Sequence, residues 1–232
     1  MKSLTLRLSL AIAIIACLAP FHKASAQTRY VPRVSVGAHA GMTMGEVGFT
    51  PYVRQSFIHG FTFGGSFRWA EERHVGLVAE LNFAQRGWKE NFEDHPFSYS
   101  RRLSYIEIPV MTHIFFGGRR VCGFINLGPQ IGYMISSSIS ADFDYTNLSS
   151  VNGFPANRQT EQLAMDIKNR FDYGITAGAG IEFYISPRNS IQLQGRYYYG
   201  LGNIFPSSKK DHFSSSRTSM ISITASYIFR LR

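Results

Sequence analysis

The sequence predicts an all-β chain folded as an eight-stranded antiparallel transmembrane β-barrel, and two observations carry that prediction. The first is the stretch from Leu103 to Ile135, LSYIEIPVMTHIFFGGRRVCGFINLGPQIGYMI, in which two long alternating segments are joined only by Gly117 to Arg120. Ile106, Ile108, Val110, Ile114 and Phe116 share one face of the first arm, and Tyr105, Glu107, Met111 and His113 share the other. This is the two-residue period of a strand. In the second arm Val121, Ile125, Leu127, Ile131, Tyr133 and Ile135 oppose Asn126, Gln130 and several glycines. Each arm is about 14 residues, against ~5–6 for a globular strand, and is long enough to cross a membrane at a tilt. The second observation is that the rest of the chain repeats this pattern and connects the repeats by alternately long and short segments.

Taken in order, Val34, Val36, Ala38, Ala40 and Met42 alternate with Ser35, Gly37, His39, Gly41 and Thr43 as a first strand, and Gly45 to Ser56 reads as a loop. Phe57, Phe61, Phe63, Phe67 and Trp69 mark the second strand, followed by a short turn from Ala70 to His74. Val75, Leu77, Ala79, Leu81 and Phe83 face outward in the third, with Glu80, Asn82 and Arg86 opposite, and Trp88 to Arg101 reads as a loop. The central hairpin supplies the fourth and fifth strands. Ser136 to Asn169 is the longest irregular segment, and FDYGITAGAGIEFYI, Phe171 to Ile185, is the sixth strand. Its glycines sit where small side chains ease crowding inside a sheet. After the short turn Ser186 to Asn189 come the seventh strand, Ser190 to Asn203, the loop Ile204 to Arg217, and the last strand, Thr218 to Leu231.

An even strand number, short turns on one side and long loops on the other are the pattern of bacterial outer-membrane barrels, with the turns periplasmic. A soluble lipocalin-like barrel also has eight strands, but its apolar face points inward. Here the face opposite the aliphatic and aromatic residues carries Arg68, Glu80, Arg86, Glu107, His113, Asp172, Glu182 and Arg196. An eight-stranded interior is just wide enough for side chains to fill. The expectation is a lumen plugged by charges of both signs that neutralise one another, since unpaired charges there are costly. Val121 to Ala141 carries no charge, but Asn126, Gly128, Pro129, Gln130 and its serines would leave polar groups on all sides of a helix in lipid, so a spanning helix is rejected.

At the amino terminus Lys2 and Arg7 precede an apolar run from Leu8 to Leu18 and then Ala24-Ser25-Ala26, the plan of a secretory signal peptide over residues 1–26. The run is too short for a spanning helix, and lipidation at Cys17 is disfavoured because the apolar segment continues past it. The barrel domain is then 27–232. Of the 24 bases, Lys2, Arg7 and Lys23 leave with the signal, so 21 remain against 15 acids, a formal +6. No basic run or nucleic-acid motif accompanies that excess, and nucleic acid is not an expected partner. Only Cys122 remains, which excludes an intramolecular disulfide.

The blocks YIEIPVMTHIFF (Tyr105 to Phe116), INLGPQIGYMI (Ile125 to Ile135), YGITAGAGIEF (Tyr173 to Phe183), RYYYGLGNI (Arg196 to Ile204) and SYIF (Ser226 to Phe229), with AELNFAQRGW (Ala79 to Trp88), resemble the PorT-like outer-membrane β-barrel family of Bacteroidota. The resemblance covers nearly the whole chain after the signal, and the EIP and LGP blocks are its most specific parts. It implies an OmpA/OmpX-like up-and-down barrel in the outer membrane. The founding PorT proteins belong to the type IX secretion apparatus, but the shared blocks are barrel features and do not carry that role over. The chain departs from a common barrel ending by closing on Phe229-Arg230-Leu231-Arg232 rather than on an aromatic residue.

Chemistry is sparse. His39, His113 and Asp172 lie on separate strands without ligand spacing, and His95, Ser98, Ser100 and His212 have no nucleophile motif around them. Asp142, Asp144 and Asp166 lack calcium-loop spacing. The reading is therefore no catalytic, cofactor or metal site, and a monomer whose partners are outer-membrane lipid and an extracellular ligand or a secretion-machine protein. A small pore is the alternative in transport. Short turns at 70–74, 117–120 and 186–189 leave no room for a pocket, so recognition is assigned to the outer loops. The longest loop is the candidate, through Asp142, Phe143, Asp144, Tyr145, Phe154 and Arg158, with its aromatics expected to be exposed.

Overall fold

The computed structural model describes residues 32–231 apart from 71, 73, 94, 119, 156, 157 and 209. The predicted signal peptide at 1–26, with Cys17, lies outside the described residues, as do positions 71, 73 and 119 of the turns. The chain forms β1 (Arg33–Thr50), β2 (Gln55–Ser56), β3 (Ile58–Ala70), β4 (Val75–Glu90), β5 (Tyr99–Gly117), β6 (Val121–Ala141), a four-residue helix α1 (Glu161–Ala164), β7 (Phe171–Tyr184), β8 (Asn189–Gly200) and β9 (Ser215–Arg230). Every pairing is antiparallel. Leaving out β2, each long strand pairs with the next in sequence, from β1 with β3 to β8 with β9, and β1 also pairs with β9, so the eight long strands close into a ring. The two-residue β2 only adds to the edge of β4 above the start of β3. The uncharged stretch Val121–Ala141 is all strand.

Along the turn end of the ring the alternation is that of a barrel in lipid. Met42, Phe61, Phe63, Leu81, Ile108, Leu127, Ile175, Leu193 and Ile223 are exposed on the outside, while Glu80, Asn82, Glu107, His113, Asn126, Asp172, Glu182 and Arg196 are buried inside. Past one level around the ring the polarity inverts. Outward positions become Glu46 after Met44, Gln85 after Phe83, Ser104 and Arg102 after Ile106, and Ser219 and Arg217 after Ile221. Met44 pairs with Ile221 and Glu46 with Ser219, and Phe83 pairs with Ile106 and Gln85 with Ser104, so the change falls at one height. Inward positions above that height are Val47, Phe49, Trp88, Tyr99 and Leu103, all buried. A register shift at Ser104/Tyr105 against β6 resets the parity of β6 there, as a β-bulge does. Ile139 and Ala141 then turn inward to join the same cluster.

The hydrophobic core is thus outside the apolar belt, in a cap at the loop end. Trp88 meets Phe49 edge-on at 5.4 Å, and Phe49 lies 5.2 Å from Phe213 and 6.1 Å from Phe205. This corrects four expected boundaries: β1 continues to Thr50, β4 to Glu90 and β6 to Ala141, and β5 begins at Tyr99. Their outer ends mix polar and apolar residues because water, not lipid, surrounds them. Strand pairing nevertheless continues. Gly87 shows how tightly: its φ is +144°, and a Cβ there would overlap the carbonyl oxygen of Arg101 on β5.

Candidate functional site: lumen, cap and mouth

Inward-pointing charges settle into three tiers. Nearest the turns, the Arg68 guanidinium donates to both Glu182 carboxylate oxygens at 2.8 and 3.0 Å. Glu182 also accepts from Ser190 at 2.5 Å and Gln192 at 3.0 Å, and His113 lies 3.2 Å from Arg68 and 2.7 Å from Asn126. In the middle Arg196 forks onto Glu80 with two 2.8 Å bonds, and Asn82 adds a third donor at 2.8 Å. Highest, Arg86 donates to Asp172 at 2.8 Å, stands 3.3 Å from Glu107, and is sandwiched between the rings of Tyr105 at 3.8 Å and Tyr198 at 4.6 Å. Asp172 also accepts from Tyr198 at 3.1 Å and Thr218 at 2.9 Å. All eight charged or ionisable lumen residues named from the sequence are therefore placed in these tiers. The neutral partners Ser190, Tyr198 and Thr218 complete them.

Beyond the belt the loops build a second layer. Glu90 is buried and accepts from Arg158 at 3.0 Å and from Gln162 of α1 at 3.0 Å. Burial pushes its carboxyl above the ordinary range despite those donors. Phe143 and Phe154 pack with Phe92 and Phe97 at centroid distances of 5.4 to 6.0 Å, and Arg158 lies over Phe92 at 4.2 Å. Tyr145 packs on Tyr99 at 5.9 Å. The aromatics Phe143, Tyr145 and Phe154 were expected to be exposed, and they are half-buried against the cap. The reason is that their contacts come from the second loop, far away in sequence. Asp142 accepts from the Ser98 backbone at 2.8 Å. Asp144 folds the loop on itself, and the Thr146 hydroxyl and N–H, with the Asn147 N–H, hold its carboxyl below the usual range. Among the described residues, one of the clefts that open outside, of about 680 Å³, is shared by three loops and lined by Tyr52, Arg54, Phe92, His95, Pro155 and Arg158. Of these, sequence reasoning assigned only Arg158 to binding, and it named His95 only to set it aside as a catalytic candidate. Among the described residues no cluster of three metal-ligating side chains forms.

The turn end holds a further correction. Short turns were expected to leave no pocket, yet a concavity of about 820 Å³ opens there between the β5–β6 and β7–β8 turns. Its depth comes from strand ends standing above the plug, not from turn length.

A closed antiparallel ring with an apolar belt outside and paired charges within is a transmembrane β-barrel. The chain belongs to the outer membrane protein beta-barrel domain family, whose model matches residues 25–206, and it resides in the cell outer membrane. It is similar in fold to OprG of Pseudomonas aeruginosa, at 6% identity and a TM-score of 0.52 over 88% of this chain and 97% of that one. Neisserial surface protein A matches at 13% identity and 0.43, over 85% and 98%. Ail, the attachment invasion locus protein of Yersinia pestis, matches at 14% and 0.39, over 84% and 98%. No curated protein matches the sequence. The family match stops before β9, the strand that closes the ring on β1. The turns are thus periplasmic and the cap faces outward.

Proposed function

We propose that the protein is a monomeric, non-catalytic surface-interaction barrel that binds an extracellular ligand through its outer loops, with no cofactor. The observation that carries this reading is the outward cleft. Three separate loops converge on it over a cap rigidified by aromatic packing, so its shape is fixed before any ligand arrives, and preorganisation lowers the cost of binding. Beneath it three tiers of paired charge occupy the lumen, which argues against a pore. The proposal places recognition in the cleft of the first, second and third loops rather than in the third loop alone.

The test exchanges residues 142–169 for a short Gly-Ser link. The barrel is expected to fold, judged by heat-modifiable gel migration, and binding to host-cell or matrix surfaces is expected to vanish. Binding that survives both this exchange and Tyr52→Ala/His95→Ala sinks the proposal. In planar bilayers negligible conductance is expected, and steady large openings from purified protein would favour the pore. Membership of a PorT-like secretion component is the second reading, supported by the EIP and LGP blocks. A deletion strain that loses export of type IX cargo would favour it, and normal export would leave the surface role.

A further inference from the structure

A strand that rises past its neighbour on the outer side leaves an edge of backbone groups without a ladder partner, and folded proteins cover such edges. On β1 the Gln55 side-chain amide bonds to both backbone groups of Val47. On β4, β2 pairs with Lys89 and Glu90, and the Thr43 hydroxyl donates to the Gln85 carbonyl at 2.6 Å. On β9, Ser216 accepts from the Ile204 N–H and donates to the Asn203 side chain, each at 2.9 Å. β6 differs. Its ladder with β7 ends at Tyr133 and Phe171, with one further bond from the Met134 N–H to the Arg170 carbonyl, yet the strand continues to Ala141. The Asp142 N–H turns to the Ser98 carbonyl, on the β5 side. Alternate residues of a strand aim their backbone groups to opposite sides. Ser137, Ile139 and Ala141 therefore aim theirs to the β7 side, where no backbone group among the described residues bonds to them.

We propose that this edge of β6 is a binding site for an extended peptide, which adds as a strand in line with β7 and ends with its C-terminal carboxylate at Arg170. A cleft of about 600 Å³ lies along the edge, between Met134 and Ile139 of β6 on one wall and Asp166, Ile167 and Arg170 on the other. Arg101 ties the walls together, donating to the Ser137 hydroxyl at 3.0 Å and the Met165 carbonyl at 2.5 Å, so their spacing is set before a peptide arrives. Ser136 pairs with Ser104, above the height where the outer face turns polar, and a soluble segment reaches the edge without entering lipid. From Ile135 to Ala141 there is neither charge nor proline, the usual guards of a free strand edge. Ile139 and Ala141 face the cap while Ser138 and Ser140 are exposed, so the edge suits alternating apolar and hydroxylated side chains. An antiparallel partner of β6 runs toward the membrane, as β7 does, and its C-terminus arrives beside Arg170, whose guanidinium can fork onto a carboxylate. A second copy of the chain does not fit. Two barrels in one membrane bring their β6 edges together in parallel, and a parallel ladder has no two-fold axis to relate them. The site is separate from the cleft above the cap and does not rest on its role.

The test titrates the full barrel in a non-ionic detergent with a fluorescein-labelled hexapeptide of alternating threonine and valine bearing a free C-terminal carboxylate, read by anisotropy. Saturable binding near one per barrel is expected. Two further peptides carry N-methyl groups on one or the other alternate set of backbone nitrogens. The set that faces β6 is expected to weaken binding by about tenfold or more, and the other set to weaken it far less. Amidating the C-terminus and Arg170→Ala are each expected to weaken binding severalfold, while Arg170→Ala leaves the affinity for the amidated peptide unchanged. Ile139→Pro removes an N–H on the free side and none from the β5 ladder, and is expected to abolish binding while heat-modifiable migration persists. If that variant does not assemble, the methylated peptides on the unaltered barrel decide. Absence of saturable binding, equal binding of the two methylated peptides, or an Arg170→Ala effect that persists with the amidated peptide overturns the inference.

Discussion

Replacing Arg86 by Met removes the only guanidinium of the uppermost lumen tier. Arg86 is 1% exposed and its two partners, Glu107 and Asp172, are each 2% exposed, so Arg86→Met leaves two buried carboxylates facing each other without a cation. Breaking a buried pair from one side costs about 3–5 kcal/mol, mostly the uncompensated charge. Loss of the stacking between Tyr105 and Tyr198 adds up to about 2 kcal/mol. The two carboxylates are not equivalent. Asp172 accepts from Arg86, Tyr198 and Thr218, whereas one oxygen of Glu107 has no hydrogen-bond donor. One guanidinium against two carboxylates leaves an excess negative charge, so Glu107→Gln removes repulsion and is expected within about 1 kcal/mol of wild type, or more stable. Asp172→Asn should fall between the two. Denaturant unfolding of the barrel in lipid vesicles, followed by tryptophan emission, measures the series. If Glu107→Gln costs as much as Arg86→Met, or Arg86→Met costs under about 1 kcal/mol, the tier does not work through charge pairing.

Three further outcomes follow from the cap and the ladder. Phe205→Ala empties a fully buried site between Phe49, Trp88 and Phe213, and should loosen the cap by about 3–5 kcal/mol, seen as protease cleavage in the outer loops while heat-modifiable migration persists. Gly41→Val should block closure of β1 on β9, because even a Cβ there overlaps the Ile223 carbonyl and lies 2.7 Å from Thr224 Cα; refolding yield into vesicles reads this, and near-normal yield would contradict the close approach. Glu90 has its folded pKa raised above the usual 4.5, so its contribution to cap stability is fully present below that value and is lost as pH rises through the raised one. In a Trp69→Phe background, quencher access to Trp88 should therefore increase from acid toward neutral pH, and Glu90→Gln should flatten that change.

The membrane half of the fold was legible because one rule holds along its whole length: outward residues are apolar, inward ones polar, period two. Glu80, Glu182 and Arg196 could be placed on one inner surface from parity alone, although which arginine meets which acid depends on register across strands far apart in sequence. The outer half was not legible. Its strands keep the period but exchange the polarity of the faces, so Glu46 and Lys89 next to Phe49 and Trp88 read as loop. The bulge at Ser104/Tyr105 then resets the parity of β6. Phe92, Phe97, Phe143 and Phe154 come from two loops and carry no local signal that they meet. The periplasmic mouth was available in principle, since Arg33 and Arg230, which line it, have inward parity, but turn length was a poor guide to depth.

The height at which the strands exchange their polarity sets how deep the barrel sits. On β5 the outward apolar run is Ile106 to Phe116, and on β9 it starts at Ile221 and ends at Leu231, one residue past the strand. Each is roughly 33 Å along the strand at ~3.3 Å per residue, or about 25 Å along the membrane normal at a tilt near 40°. Rising by one residue pair would lift Ile106, Ile221 and Met44 into water. Sinking by one would drag Glu46, Gln85 and Ser104 into hydrocarbon, with Arg102 next. Vertical play is therefore suppressed in both directions, and where the local bilayer is thicker or thinner than this belt, it is the lipid around the barrel that must stretch or thin to match.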